Sequence, residues 1–286
     1  MSEGAALSGM SALVTGGGSG IGLGCARRLV VDGAAVTICG RSEERLQSAA
    51  DELAKARAGT GGSAPVEWVA ADVTDEEQVR TAIERATTNG DGRLDAVVAC
   101  AGGSLHMGPL VVSDTTSWRA TVDLNITGTF LTIKHAAPVM VRGGGGSIVA
   151  ISSIAAPLTH RYLGAYSVSK AAVDMLVRVA ADELGPSNVR VNAVRPGLVD
   201  TEMVSSITST PAVLEDYLDQ MPIRRVGTVD DIAAAVRYLV GPESSWVTGQ
   251  CFGVDGGHAL RRGPDYTPFA EPLWGPDVLR GLLPET

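Results

Sequence analysis

The sequence is poor in the residues that mark secreted, metal-binding and membrane proteins. Its four cysteines are Cys25, Cys39, Cys100 and Cys251. They lie far apart in apolar surroundings, which is typical of reduced core thiols and not of a disulfide framework or a metal site. The four histidines show no metal-ligand spacing, so no metal is expected. No apolar run reaches the roughly 18 residues that a membrane span requires.

Positive charge is also scarce. The 286 residues carry 23 lysines and arginines against 32 acidic residues, a formal net charge of -9. Nucleic acids and anionic membranes repel such a surface, so neither is expected as a partner. The first ten residues show no basic stretch followed by an apolar one, so we expect no signal peptide and a cytoplasmic location.

Short apolar runs and longer stretches of helical period alternate along most of the chain. The predicted strands are Ala12–Thr15, Ala35–Cys39, Val66–Ala70, Ala96–Ala99, Ser147–Ile151, Arg190–Arg195 and Cys251–Val254. They lack polar alternation, which indicates strands covered on both faces. Helix starts are predicted at Ser42, at Thr74 with Glu77, and at Thr228. The alternation predicts an α/β fold with a doubly wound parallel sheet and helices on both sides.

A glycine-rich turn, Thr15–Gly22, follows the first predicted strand and precedes a helix. Glycines let a backbone approach a pyrophosphate, and the helix points its N-terminal amides at the phosphates. The spacing is Thr-Gly-x-x-x-Gly-x-Gly and not the common Gly-x-Gly-x-x-Gly, and such a turn could also be only a turn. In this context it predicts a dinucleotide site, with these residues as contacts: Gly16, Ser19, Gly20, Ile21 and Gly22.

The end of the second predicted strand indicates which dinucleotide is bound. An acidic residue there would bind the ribose 2′-hydroxyl of NAD, whereas an arginine accommodates the 2′-phosphate of NADP. The chain has no carboxylate at this point, and Arg41 follows immediately. NADP(H) is therefore the favoured cofactor and NAD(H) the alternative, in which case Arg41 would be an arginine in a solvated loop.

A tyrosine and a lysine four residues apart, Tyr166 and Lys170, share one face of a predicted helix. Such a pair is common by chance. Its position is more informative, because it follows a strand that ends in Ser152 and Ser153.

With these motifs the chain resembles the short-chain dehydrogenase/reductase family, in its main single-domain branch, from about Leu7 to Asp255. The matching pieces, in order, are Thr15–Gly22, Asp72-Val73, Ala101-Gly102, Asn125, Ser153, Tyr166, Lys170, Pro196-Gly197 and Thr201. The resemblance implies a Rossmann-type seven-stranded sheet of order 3-2-1-4-5-6-7 and a homotetramer. It favours Ser153 over Ser152, because the family's serine normally lies thirteen residues before its tyrosine.

The resemblance also implies four catalytic residues. Tyr166 would be the general acid in reduction and the base in oxidation, and Lys170 would lower its pKa from about 10 and donate to the nicotinamide ribose. Ser153 would bind the substrate oxygen, and Asn125 would hold a water that links Lys170 to solvent. Alternatively, Ser153 only caps a strand end, and Asn125 only satisfies a buried carbonyl.

Further cofactor contacts follow from the same resemblance. Asp72 and Val73 would border the adenine, although Asp72 could instead cap the next helix. The predicted contacts of the cleft and of the nicotinamide end are Ala101, Gly102, Tyr166, Lys170, Pro196, Gly197, Val199 and Thr201. The chain departs from the family at Cys100, where an asparagine usually braces the central strands, so weaker bracing is expected.

We expect residues 1–258 to form the dehydrogenase domain and residues 259–286 a proline-rich C-terminal extension. The extension is either a floppy tail or an extended arm whose aromatic residues, Tyr266, Phe269 and Trp274, dock on this subunit or a neighbour. His106 and His160 are expected in loops that face the cleft. We expect each to be a solvated side chain, with contact to the substrate as the alternative.

The predicted function is NAD(P)-dependent hydride transfer to or from a small carbonyl or alcohol substrate. The apolar segment after Gly197 hints at an apolar substrate, although an amphipathic helix must bury such a face in any case. Two alternatives remain: reduction of a C=C bond in an enoyl thioester on the same scaffold, and a non-catalytic nucleotide-sensing protein.

Overall fold

The computed structural model describes residues 6–283, so that Pro284 of the predicted extension and the first five residues lie outside it. Seven parallel strands form one sheet in the order β3-β2-β1-β4-β5-β6-β7. The strands are β1 Ser11–Thr15, β2 Ala35–Gly40, β3 Val66–Ala70, β4 Ala96–Ala99, β5 Gly146–Ile151, β6 Val189–Pro196 and β7 Cys251–Val254. The predicted strands, parallel sheet and strand order are therefore confirmed.

Helices cover both faces of the sheet and enclose two apolar cores. The α-helices within residues 6–283 are α1 Gly20–Val31, α2 Glu43–Ala58, α3 Glu76–Asn89, α4 Thr115–Val122, α5 Gly128–Arg142, α6 Gly164–Leu184, α7 Ser205–Thr208, α8 Pro211–Gln220, α9 Val229–Val240 and α10 Thr267–Leu279. Helices α1, α2 and α9 line one core, and α3, α5 and α6 line the other. Along β1, Val14 faces the first core and Leu13 the second, which explains why the strands are apolar without alternation.

Two of the three predicted helix starts, Ser42 and Thr228, are confirmed as N-terminal caps. The third is wrong by one residue, because Asp75 caps α3 and its carboxylate accepts a backbone N–H of the first turn at 3.1 Å. Thr74 is not free for this role, since its amide and hydroxyl donate to Asp72 at 2.9 and 2.8 Å. Asp72 therefore shapes the preceding turn and does not cap the helix.

The C-terminal segment is a docked helix, so both the floppy tail and the extended arm are wrong descriptions. Helix α10 bends at Gly275, which has φ +75°. Tyr266, the residue before α10, is 4% exposed. Its hydroxyl forms a buried hydrogen bond of 2.6 Å with the hydroxyl of Tyr217. Tyr266 belongs to a third apolar cluster, formed by Leu198, Val213, Tyr217, Met221 and Tyr266. The predicted docking of aromatic residues on this subunit is thus observed.

We expect Tyr266→Phe to lower the free energy of unfolding by about 1–3 kcal/mol, because it leaves the buried Tyr217 hydroxyl without a partner. The double variant Tyr217→Phe/Tyr266→Phe removes both hydroxyls and should recover most of this loss. Urea denaturation measures each value, with Tyr238→Phe, at an exposed tyrosine, as the matched control. Simply additive losses in the double variant would contradict this account.

Candidate active site

A cleft of about 690 Å³ opens at the carboxyl ends of the central strands. It is lined by these predicted cofactor contacts: Gly16, Ser19, Gly20, Ile21, Gly22, Arg41, Asp72, Val73, Ala101, Gly102, Lys170 and Thr201. The other predicted site residues do not line it: Asn125, Ser153, Tyr166, Pro196, Gly197 and Val199. The cleft therefore brings together the predicted dinucleotide contacts of the glycine-rich turn, of the end of β2 and of the loop after β4.

The glycine-rich turn forms one wall of this cleft through very close backbone contacts. Gly16 has φ +66°, and a Cβ there would lie 3.0 Å from the backbone nitrogen of Ala101. A Cβ at Gly22 would lie 2.2 Å from the carbonyl oxygen of Gly16. Only glycine fits at these two positions, and the resulting turn brings the N-terminus of α1 to the cleft, where its amides can meet an anion.

The end of β4 is braced from β1 by a threonine hydroxyl. Oγ1 of Thr15 accepts the backbone N–H groups of Cys100 and Ala101 at 3.0 and 3.1 Å. Cys100 lines the cleft, and burial raises the pKa of its thiol to about 12, so the thiol is protonated. Thr15 thus holds the backbone at Cys100 and Ala101, and the weaker bracing expected from Cys100 stays a prediction.

Lys170, in the second turn of α6, is buried and lines the cleft. Its Nζ donates to the carbonyl oxygen of Ile151 at 2.8 Å. Burial lowers the pKa of the ammonium to about 8. A Cβ at Gly102 would lie 3.1 Å from this Nζ, so Gly102 keeps the space between Lys170 and the cleft free of side chains.

Asn125 lies in a π-helical segment, Asp123–Thr127, between α4 and α5. Its side-chain nitrogen donates to the carbonyl oxygens of Gly103 and Thr121 at 2.8 and 3.0 Å and to Oγ of Ser169 at 3.0 Å. Its Oδ1 accepts the amide of Gly103 at 3.0 Å. The side chain thus satisfies buried backbone groups, and it holds the loop after β4 against α6.

Tyr166 and Ser153 face each other beside Lys170. Burial raises the pKa of Tyr166, and the Ser153 hydroxyl lowers it by a smaller amount, so that the pKa stays above its usual value. This corrects the expected depression by Lys170, whose Nζ lies 5.7 Å from the centroid of the Tyr166 ring and is bonded to the carbonyl of Ile151. Ser152 has another contact: its hydroxyl donates to the backbone carbonyl of Lys170 at 3.3 Å.

Two arginines line the cleft beyond the end of β2. Arg41 is exposed, as expected of a side chain that would meet a phosphate. The sequence reasoning missed Arg45, which lies four residues later on α2 and makes a two-pronged ion pair with Glu202 at 3.0 and 3.2 Å. A second arginine in the first turn of the helix that follows Arg41 is the signal that could have identified it. Glu202 follows Thr201, so the pair bridges the two walls of the cleft.

The predicted loop histidines are enclosed by the C-terminal segment. His160 is 6% exposed, and its Nδ1 lies 3.1 Å from the carbonyl oxygen of Leu158. Burial lowers its pKa to about 4, so it is neutral, and its ring lies 6.5 Å from that of Tyr266. The expectation of a solvated His160 is wrong, because the C-terminal segment around Tyr266 covers this side chain. The ring of His106 lies 6.4 Å from that of Trp274.

Comparisons with known proteins agree with this geometry. A family model described as enoyl-(acyl carrier protein) reductase matches residues 16–259. A short-chain dehydrogenase/reductase structure from Mycobacterium ulcerans is 48% identical with a TM-score of 0.94, and the match covers 97% of this chain and 100% of that one. The cis-4-hydroxycyclohexanecarboxylate dehydrogenase of Sinomonas cyclohexanicum is 38% identical over 247 residues, or 86% of this chain and 95% of the relative.

A structure of 7α-hydroxysteroid dehydrogenase with NADH and 7-oxo glycochenodeoxycholic acid is 33% identical, with a TM-score of 0.81 and coverage of 90% of this chain and 97% of that one. The chain belongs to the short-chain dehydrogenase/reductase family. It is an NAD(P)-dependent oxidoreductase that acts on an alcohol or carbonyl group of a small molecule. Within residues 6–283, no helix is both long and apolar enough to cross a membrane.

We expect Gly102→Ala to weaken NAD(P)H binding at least about tenfold. The added Cβ would lie 2.6 Å from Oδ1 of Asn125 and 3.1 Å from Nζ of Lys170, and the Asn125 amide is fixed by its hydrogen bonds. Gly103→Ala is the matched control, because its Cβ would first meet the flexible end of Met203 at 3.6 Å. A fluorescence titration measures both affinities, and equal affinities for the two variants would refute the steric argument.

Proposed function

We propose that the enzyme transfers a hydride between a nicotinamide cofactor and a carbonyl or alcohol carbon, with Tyr166 as general acid in reduction and general base in oxidation. One observation carries the proposal. Tyr166, Ser153 and Lys170 lie together at the edge of a cleft whose other wall is the glycine-rich turn. The cofactor, when bound in that cleft, supplies or accepts the hydride.

The three side chains have complementary tasks in this proposal. The raised pKa of Tyr166 keeps its phenol protonated near neutrality, which is the form that protonates a developing alkoxide. Ser153 is held by the amide of Ala155 at 3.0 Å and donates its hydroxyl hydrogen to the substrate oxygen. Lys170 stays charged below a pH of about 8, and in this form it would donate to the ribose of the cofactor.

Asn125 has a supporting part in the proposed site. Its contacts with Gly103 and Ser169 fix the loop and the helix on the two sides of Lys170. We propose that Pro196, Gly197 and Val199 contact the nicotinamide end of the cofactor, since they lead from the end of β6 to Thr201 on the cleft wall.

Reduction of an activated C=C bond is the second candidate, favoured by the description of the matching family model. Carbonyl chemistry is preferred because Ser153 and Tyr166 together offer two hydroxyl groups to one substrate oxygen. The Sinomonas relative and the 7α-hydroxysteroid dehydrogenase are both named for the oxidation of alcohols. Family membership weighs against a non-catalytic nucleotide sensor.

We propose NADP(H) as the preferred cofactor. Within residues 6–283, no aspartate or glutamate at the end of β2 lines the cleft, whereas Arg41 does. Guanidinium groups suit the doubly charged 2′-phosphate that distinguishes NADP from NAD. NAD(H) remains the alternative, since the related 7α-hydroxysteroid dehydrogenase is seen with NADH.

The proposed substrate is an apolar, alicyclic alcohol or ketone. Support comes from the third apolar cluster, against which Met107, Leu163 and Phe269 pack and whose Tyr266 lies near Tyr166. The Sinomonas relative is named for a substituted cyclohexanol, and the 7α-hydroxysteroid dehydrogenase structure holds a steroid. We propose that residues 259–286 are an extension of the domain formed by residues 1–258, and that its described part, residues 259–283, encloses this substrate space.

A homotetramer is proposed as the assembly. Its support is a row of exposed apolar side chains on the outer faces of α5 and α6: Phe130, Val168, Met175 and Val179. Light scattering would give about four times the chain mass of 29.4 kDa, and a monomer mass would reject the proposal. The cytoplasmic location stays a prediction.

We expect Tyr166→Phe to lower kcat for ketone reduction by about a hundredfold or more, because it removes the proton donor. NAD(P)H affinity should be nearly unchanged, since Tyr166 does not line the cleft. Cyclohexanone and its substituted derivatives are suitable substrates, and Tyr238→Phe is the control at an exposed site. Full turnover in Tyr166→Phe would reject the proposed acid–base role.

Arg41→Ala should weaken NADPH binding by about 10- to 100-fold and leave NADH binding unchanged, since the guanidinium is expected to meet only the 2′-phosphate. Fluorescence titrations with the two cofactors measure the effect. Arg80→Ala, at an exposed arginine of α3, is the matched control. Tighter binding of NADH than of NADPH by the unaltered protein would show that the interpretation of Arg41 is wrong.

A further inference from the structure

The ion pair between Arg45 and Glu202 spans the cofactor cleft beside the glycine-rich turn. Its two nitrogen–oxygen distances are 3.0 and 3.2 Å. A Cβ at Gly18 would lie 3.5 Å from Cβ of Arg45. A Cβ at Gly20 would lie 3.4 Å from Cγ2 of Thr201, the residue before Glu202. The pair therefore connects the two elements that pack on successive glycines of this turn.

The backbone of Arg45 is fixed, whereas its guanidinium is not. The Ser42 hydroxyl caps α2 and accepts the amide of Arg45 at 3.3 Å, and the next residue, Leu46, is buried against Gly18. The Arg45 side chain is 56% exposed and that of Glu202 is 74% exposed. Because water competes with an ion pair that is this exposed, the guanidinium can leave Glu202 at little cost.

Arg45 lies on the same wall of the cleft as Arg41, which is proposed to meet the 2′-phosphate of NADP. Both arginines line the cleft, and so does Ser42 between them. Within residues 6–283, the guanidinium of Arg45 has no hydrogen-bond partner other than Glu202. A phosphate carries nearly two negative charges against one on a carboxylate, and its oxygens suit the planar fork of a guanidinium. A 2′-phosphate beside Arg41 is therefore the stronger partner for Arg45.

We propose that Glu202 and the 2′-phosphate of NADP(H) compete for Arg45. In the free enzyme Glu202 holds the guanidinium, and binding of NADP(H) transfers it to the phosphate and breaks the ion pair across the cleft. NAD(H) carries a neutral hydroxyl at this position, so the pair stays intact when NAD(H) binds. Glu202 thus lowers the preference for NADP(H), because its ion pair must be broken before Arg45 can contribute to binding. This inference rests on the proposed role of Arg41, which places the 2′-phosphate on this side of the cleft.

The test is a fluorescence titration of the full chain with NADPH and with NADH. Glu202→Gln should tighten NADPH binding by about three- to fivefold, because the ion pair no longer has to be broken. The upper value corresponds to about 1 kcal/mol, the most that an exposed ion pair usually contributes. Arg45→Ala should weaken NADPH binding by about five- to tenfold. The affinity for NADH should change by less than about twofold in both variants.

Two further variants separate competition for Arg45 from simple charge repulsion. Glu44→Gln removes a negative charge from the exposed residue next to Arg45 on α2, and it should leave NADPH binding nearly unchanged. In Arg45→Ala/Glu202→Gln the second substitution should add almost nothing to the first, because no guanidinium is left to compete for. An effect of Glu202→Gln that persists at full size without Arg45, or that Glu44→Gln reproduces, would overturn the proposal.

Crystal structures of the two cofactor complexes give a readout that does not depend on variants. With NADPH, the guanidinium of Arg45 should lie within hydrogen-bond distance of the 2′-phosphate and away from Glu202, and with NADH it should stay paired with Glu202. An intact ion pair in the NADPH complex would overturn the proposal. Unchanged or weaker NADPH binding by Glu202→Gln would overturn it as well.

Failure of this inference can be told apart from failure of the proposed cofactor preference. Tighter binding of NADH than of NADPH by the unaltered protein would refute the interpretation of Arg41. The comparison of NADPH affinities between Glu202→Gln and the unaltered protein still decides whether Glu202 competes for Arg45. Weaker binding of both cofactors by Glu202→Gln would show that the pair closes over any bound dinucleotide, which is the opposite of exchange.

Discussion

The close contact between the glycine-rich turn and the end of β4 is the constraint on which the rest of the site depends. Gly16 lies against the backbone of Ala101, and Oγ1 of Thr15 accepts the two amides next to it. This contact sets the width of the cleft and fixes where the loop after β4 begins. A side chain at Gly16 or Gly22 would separate the walls, and the N-terminus of α1 would no longer meet the cleft.

From that point the loop after β4 connects the cofactor side to the substrate side. Asn125 binds both backbone groups of Gly103, and the neighbouring Gly102 leaves room for Nζ of Lys170. Further along, the same loop carries His106 and pairs with the residue before α6. The positions of Lys170 and Tyr166 on α6 are thus coupled to the cleft through one loop, and not only through the sheet.

The C-terminal helix and Tyr266 just before it add an apolar enclosure beside the end of the sheet. Its aromatic residues cover the loops that carry His106 and His160, and the hydrogen bond between Tyr217 and Tyr266 fixes it to the third apolar cluster. The similarity to the Mycobacterium ulcerans structure covers 97% of this chain, so it extends into this segment. The apolar enclosure that results is consistent with an apolar alicyclic substrate.

Most of the fold could be predicted from the sequence, because strands buried on both faces and capped helices leave local signals. The apolar runs gave all seven strands to within about one residue, and Ser42 and Thr228 marked helix starts. The predicted start of α3 at Thr74 is wrong, because the Asp72 carboxylate binds Thr74 in a turn and leaves Asp75 as the residue that caps the helix. The helical state of residues 267–279 could not be predicted either, since their three prolines and the bend at Gly275 resemble an irregular tail.

The candidate site divides in the same way. The glycine-rich turn, Arg41 and the spacing of Tyr166 and Lys170 are local patterns, so the sequence by itself determined the class of cofactor and the reacting residues to be tested. Only the tertiary structure decided the direction of the Tyr166 pKa, because that depends on burial and on the neighbouring Ser153 hydroxyl. It alone brought Arg45 to Glu202 and His106 to Trp274. These residues are distant along the chain, and no local periodicity records a contact that arises only when separate elements pack together.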